Sequence, residues 1–572
     1  MRRLALLSLL ALPLLSAAPA AAQSEVGEVS FANSGSAAAQ EPFLRGLALL
    51  HNFEYPDAAE AFRQAQAIDP GFAMAFWGEA MTYNHPVWAQ QDAAAAVAAL
   101  GRLGATPEAR LAKAKTERER DYLRAVEVLY GTAGHAGGSA AAAASQGSAS
   151  AHGSHGSGSA AYQGSTDHHD KDKEARDFLY ADAMAALHQR YPEDVDATAF
   201  YALALLGTAH QGRDFATYMR SAALLEEVFP AHPRHPGVLH YLIHSYDDPI
   251  HAPLGMRAAR LYGGVAPNAA HALHMTSHIF IALGLWDDVI AANENAIRVG
   301  DAHLAARHKP PGSCGHYAIW LHYAYLQERR FDAAERMLDA CREAVEGEVA
   351  GSAGSFEPDD YLAGSWAQMR LVHSIETGRW DAAGSAVPPR GGPYAGALFT
   401  LAYGEALAAA GGELPSLQAL RDAAARLRAR QKDLLAAIEQ GRQAIPDDRT
   451  HAAIAVQQID ALVSLREGKK DAGIALLRKA AEAESALPLD FGPPAIEKPS
   501  FELLGDELLA LGRDAEAEAA YQAALARAPG RTRSLQGLLR AQQALQRTAA
   551  AERTQELLRR YVRAAPVGRG TR

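Results

Sequence analysis

One spacing constrains this chain more than any other feature. Gly46, Ala58, Phe62, Ala65 and Pro70 are separated by 12, 4, 3 and 5 residues. Gly505, Ala517, Tyr521, Ala524 and Pro529 repeat the same four intervals near the other end. Intervals of three and four put side chains on one helical face. The pattern predicts a pair of antiparallel helices. Glycine lets the first helix approach its partner closely, and the alanine twelve residues on lies where the second helix crosses. The aromatic fills the remaining gap, and proline ends the second helix. A unit repeated at both ends of 572 residues predicts an array in which each hairpin packs mainly on its neighbours. Abundant alanine and sparse β-branched residues agree with close-packed helices.

On these residues the chain resembles the tetratricopeptide repeat (TPR) family. Ala333, Met337 and Ala340 keep its register, as do Ala461, Gly473, Leu477 and Ala480, while Val289 and Ala296 mark a further copy. The resemblance implies an all-α, TPR-like helical-hairpin solenoid that works through protein–protein interaction. Three longer phrases, Arg45 to Phe53, Tyr83-Asn84-His85-Pro86 and His271 to Phe280, resemble a group of exported bacterial TPR proteins of unknown function. In that group's last phrase a proline stands where this chain has Thr276. The resemblance supports the fold and export and brings no activity with it.

The N-terminus has the pattern of a secretory signal peptide over residues 1–22. Arg2 and Arg3 precede a short apolar run from Leu4 to Leu15, and Ala20-Ala21-Ala22 offers a small-residue cleavage site. That run is shorter than the ~20 residues a transmembrane helix needs, and no other stretch qualifies. The mature chain is thus expected to be periplasmic or secreted, with no transmembrane segment. Only two cysteines occur, Cys314 and Cys341. An oxidising compartment permits a disulfide between them, and two buried free thiols are the alternative. The net charge of −11 and the lack of a long basic stripe do not suggest a nucleic-acid binder, and no nucleic-acid partner is expected.

Composition divides the rest. An N-terminal helical block is expected over residues 23–131. A Gly/Ser/Ala/His insertion at 132–170 is too poor in apolar residues to order itself. A central, histidine-rich block spans 171–387, a further helical block 388–486, and the last repeats 487–566. Proline clusters at Pro388 to Pro393 and Pro488 to Pro499 mark the later breaks.

Twelve of the 23 histidines lie between His232 and His322. His240 and His244 share a helix face, as do His274 and His278, and the second pair follows the first at an offset of one TPR period. Equivalent positions in successive repeats stack side by side. The TPR resemblance implies that these positions, with His271, face a concave groove. Registering the next unit on Ala333 adds His322. Asp247, Asp248, Tyr246, Tyr323 and Tyr325 lie close enough in sequence to join.

Three readings stay open. The first is a metal site, with His240, His244, His274 and His278 holding Zn²⁺ or Cu²⁺ and an aspartate as oxygen ligand. The second is a groove for a protein, peptide or small-ligand partner. The third is a set of hydrogen-bonded helix histidines with no ligand. His240-Tyr241-Leu242-Ile243-His244 has zincin histidine spacing but lacks the glutamate that acts there as general base. A metal-dependent hydrolase using the same histidines, with Glu294 or Asp247 as base, is therefore the alternative to a binding or scaffold protein. No residue is assigned a catalytic role.

Overall fold

The computed structural model describes residues 25–133, 171–351, 360–380, 395–411, 416–440 and 448–562. The expected signal segment, nearly all of the 132–170 insertion and the Pro388–Pro393 break lie outside the described residues. Within them the chain is all-α, with 24 α-helices packed largely neighbour to neighbour and a single two-stranded turn, Asn84–His85 against Gln90–Gln91. No described helix is long and apolar enough to cross a membrane.

The repeat residues pack as their spacing requires. In the first hairpin, Gln40–His51 and Tyr55–Ile68, the side chains of Ala58, Phe62 and Ala65 are fully buried. A Cβ on Gly46 would lie 2.9 Å from the Phe62 ring, and one on Gly78, in the following helix, 2.4 Å from it. Tyr521 repeats this arrangement between Gly505 (2.8 Å) and Gly537 (2.2 Å). The aromatic of each hairpin is thus held between two glycines, and the second glycine belongs to the next helix along. The close packing therefore continues from one repeat into its neighbour. Gly537→Ala is expected to destabilise the protein by roughly 1–3 kcal/mol through overpacking. In a Tyr521→Leu background the added cost should shrink, and urea denaturation of the four proteins measures it. Equal costs in both backgrounds would show that Tyr521 does not set the limit.

Three helices carry most of the clustered histidines: Pro236–Tyr246, Ala270–Ala282 and His316–Gln327, called here the first, second and third histidine helices. Pro236 opens the first, and His235 Nδ1 caps it by accepting from the Val238 N–H at 3.3 Å. The second is capped from a distance, because buried Glu54 of the N-terminal hairpin accepts the His271 N–H at 3.0 Å. The third follows a long helix, Trp286–Ala306, and a loop. Cys314 and Cys341 are joined in a disulfide that ties this loop to the helix Phe331–Gly351.

The array curls back on itself. Asn52 Nδ2 donates to Val26 O, and Tyr262 Oη donates to Asn52 Oδ1, holding the first hairpin on the helix Ala252–Val265 that connects the first two histidine helices. From the other end, Trp286 Nε1 donates to Gly530 O, and Thr532 bonds to Gln327 through both its backbone N–H and its hydroxyl. The proline-rich stretch 488–499, expected as a break before the last repeats, crosses the central block as a strap. Pro488 packs on Gly212, Gly492 on Trp320, and Phe491 on His244 and His278.

Candidate metal centre

Six histidines and one aspartate meet where the three histidine helices pass one another. His240, His244 and His271 place one nitrogen each within 4.8 Å of one another, and so do His274, His278 and His316. His244, Asp247 and His278 form an overlapping group within the same limit. His240, His244, His271, His274 and His278 are at most 4% exposed, and His316 is half-buried. Phe53, Trp88, Trp320 and Phe491 pack against the rings. The surroundings are therefore an enclosed aromatic chamber, not the open groove implied by the TPR resemblance.

Hydrogen bonds fix the tautomers. His240 Nδ1 lies 2.6 Å from the His51 carbonyl oxygen, which only accepts, so Nδ1 carries the proton. Its Nε2 is then a bare lone pair, and that atom has no partner. The Nε2 atoms of His244 and His271 are likewise buried and unpartnered. Asn293 donates its amide to Val289 O, which turns its oxygen toward His274, and His274 Nδ1 donates to that oxygen at 2.7 Å. His278 Nδ1 donates to Asp247 Oδ2 at 2.9 Å. Both remaining Nε2 atoms face each other at 3.2 Å.

Two neutral imidazoles cannot hold their lone pairs at that distance without repulsion. A proton between them is disfavoured, since burial drives His274 well below the ordinary imidazole value and His278 down to about 4, even with Asp247 pulling the latter up. Burial, aided by neighbouring histidines, also keeps His240 and His271 well below the ordinary value. A metal ion bound to two imidazoles at ~2.0–2.1 Å separates their nitrogens by roughly 3.3 Å, so the geometry fits a cation. The bonds from Nδ1 to Asp247, Asn293 and the His51 carbonyl are those that orient imidazoles behind a metal.

Asp247 itself is committed. Burial pushes its carboxyl up, but the Arg213 charge and the bonds with His244 and His278 outweigh this and hold it well below the carboxylate range. Arg213 pairs with Asp247 and lies 3.4 Å from Asp248. Asp248 is a cap, accepting from the backbone N–H groups of Ile250 and His251 at 2.8 and 3.0 Å.

The other expected site residues lie apart. Tyr246 reaches Glu226, Tyr325 bonds to Glu294, and Tyr323 accepts from Arg531. His322 contacts His373, with 3.3 Å between ring nitrogens. The reason is register. The step from Pro236 to Ala270, where the first two histidine helices begin, is one repeat, whereas the step from Ala270 to His316 is longer than one. His244 and His278 are the ninth residues of their helices, whereas His322 is the seventh of its own, roughly 200° away around the axis. His316, on the first turn of the third helix, joins the cluster instead.

His51, Asp196 and His235 form another buried group. All four ring nitrogens there are used: His51 donates to Asp196 and accepts from Tyr241, and His235 donates to Asp196 and accepts from Val238 N–H. The imidazoles of this group are thus satisfied, although Asp196 Oδ2 is buried without a partner, and the group's link to the centre is the His51 carbonyl that orients His240.

No protein-family model and no curated protein matches the chain. Among solved structures it is similar to the TPR domain of P58(IPK), at 12% identity over 90% of this chain and 99% of that one, with a TM-score of 0.21. It is also similar to yeast Tom70 at 9% identity over 91% and 99%, with a TM-score of 0.27. A third is the Naa15/Naa10 complex bound to HypK-THB, at 11% identity over 91% and 73%, with a TM-score of 0.23. With overlaps this low, the TPR-like character of the chain stands on its own hairpin contacts.

Proposed function

We propose that this chain is an exported helical-repeat protein that binds a transition metal, zinc or copper, through buried imidazoles. The observation that carries the proposal is the set of inward-facing nitrogens. Those of His240, His244 and His271 are unpartnered, and those of His274 and His278 oppose each other at 3.2 Å. An unpartnered buried polar atom costs about 1–3 kcal/mol, and three converging on one spot are explained by a shared ligand. Imidazole donors suit zinc and copper.

A scaffold role for a protein or peptide partner remains part of the proposal. A peptide cannot reach rings this deeply covered, so such a partner would meet the outer surface. The hydrolase alternative gains no support from the carboxylates, because Asp247 is bound to Arg213 and His278, and Glu294 to Tyr325.

The experiment is elemental analysis of the untagged protein purified without chelators, beside a His244→Ala/His278→Ala variant whose helicity is checked by circular dichroism. Bound zinc or copper at one equivalent or more is expected in the parent, with a large loss in the folded variant. A parent that holds no metal and takes up neither ion on titration would overturn the proposal.

A further inference from the structure

The metal-binding reading leaves open how many ions the six imidazoles hold, and the inference here rests on that reading. We infer that the chamber is a dinuclear copper site, three imidazoles to each ion, whose small-molecule ligand is dioxygen.

The donors divide into two complete sets of three, His240, His244 and His271 against His274, His278 and His316. A single ion in the first set would leave the opposed nitrogens of the second unsatisfied. The sets abut, with the rings of His244 and His278 5.6 Å apart by centroid and those of His271 and His274 6.1 Å apart. One carboxylate serves both: Asp247 Oδ2 is 2.9 Å from His278 Nδ1 and 3.5 Å from His244 Nδ1. Asp247 thus stands behind one imidazole of each set, as a carboxylate that orients metal-binding histidines does.

Charge selects the metal. Asp247 is already balanced by Arg213, and the six ligands are neutral. Two divalent ions would bring four positive charges into an aromatic chamber whose further buried carboxylates are Asp248, beside Arg213, and Glu54, behind the His271 N–H. The cost of burying an ion rises with the square of its charge, so two monovalent ions are far cheaper. Copper is the imidazole-binding metal with a stable monovalent state, and three nitrogen donors satisfy it.

Enclosure selects the ligand. Phe53, Trp88, Trp320 and Phe491 pack against the imidazoles of the two sets, which favours a small apolar ligand over a bulky polar one. Dioxygen is small, apolar and able to accept two electrons. On binding, each Cu(I) gives up one electron and becomes Cu(II). Dioxygen gains both and becomes peroxide, its O–O bond kept and no proton needed. The total charge in the chamber is the same before and after, and the reverse transfer releases dioxygen.

The test loads the untagged, metal-free protein with Cu(I) under argon, removes unbound copper, counts what remains and then admits air. Two equivalents of copper per chain are expected. Air should bring a near-ultraviolet absorption band without a Cu(II) paramagnetic resonance signal, because the two spins couple. His316→Ala, at the half-buried edge, should keep one equivalent and give a full Cu(II) signal after oxidation, with helicity unchanged. One equivalent in the parent, or two that give the full signal of isolated Cu(II), would overturn the pair and leave the metal-binding reading intact. No retained copper and no zinc uptake would remove both.

Discussion

Acidifying the metal-free protein from about pH 7 to about pH 5 is expected to remove most of its stability. Burial holds His51 and His278 down to about 4 and His322 down to about 3, and His240, His271 and His274 well below the ordinary imidazole value of 6.5. In the unfolded chain each returns to about 6.5. Below that pH the unfolded state binds protons the folded state refuses, so stability falls as pH falls. Each such histidine contributes at most about 1.4 kcal/mol per pH unit, so the six together remove about 8 kcal/mol per unit at the upper bound. Total stabilities are about 5–15 kcal/mol, so the fold should fail well before the folded-state values are reached. The buried carboxylates act in a lower window. Asp196 and Asp247 are held below the ordinary range, so their contribution is present above about pH 4 and is lost only below it.

Urea denaturation at a series of pH values, with chelator present, measures this directly. His322→Gln should lower the slope by about one proton, since His322 lies outside the proposed metal ligands. Stability that is flat from pH 7 to pH 5 would refute the neutral, buried state of these rings. Metal should move the loss to lower pH, because ligated imidazoles take up protons only as the ion leaves.

The hairpins could be read from the sequence because their determinants are local. Gly46, Ala58, Phe62 and Ala65 lie within one repeat, and their intervals survive at Gly505 to Ala524. The glycines that complete each aromatic slot, Gly78 and Gly537, also lie at one fixed offset, so the same search extended by one helix finds them. The pairing of His240 and His244 with His274 and His278 could be read for the same reason, since both helices begin in phase. What could not be read depends on long-range geometry. The extra residues between the second and third histidine helices exchange His322 for His316. Phe53 and Glu54 arrive from the first hairpin, Arg213 from a loop, and Phe491 from a proline-rich stretch several repeats beyond His244. No periodicity links such segments. They meet because the array curls back on itself, which nearest-neighbour spacing does not encode.

Arg531→Met is expected to cost roughly 3–5 kcal/mol, because it strands carboxylates the guanidinium now neutralises. The Arg531 side chain is 1% exposed. It donates to both oxygens of Glu502, at 2.7 and 3.1 Å, and to Tyr323 Oη at 3.0 Å. Glu376 lies 2.8 Å away as an ion pair without hydrogen-bond geometry. Lys498 also donates to Glu502, at 2.9 Å, but one ammonium cannot replace a planar fork that serves three partners. Arg513→Met, which removes an exposed pair with Glu516, should change stability very little and serves as the control. The consequence reaches the metal centre. Arg531 ties the last repeats to Tyr323 of the third histidine helix, and Lys498 ends the strap that carries Phe491 over His244 and His278. Loosening that joint should uncover the imidazoles, so metal should leave Arg531→Met faster than the parent when a chelator is added. If stability drops and the release rate does not change, the strap keeps its position without the ion cluster, and the aromatic packing of Phe491 alone covers the site.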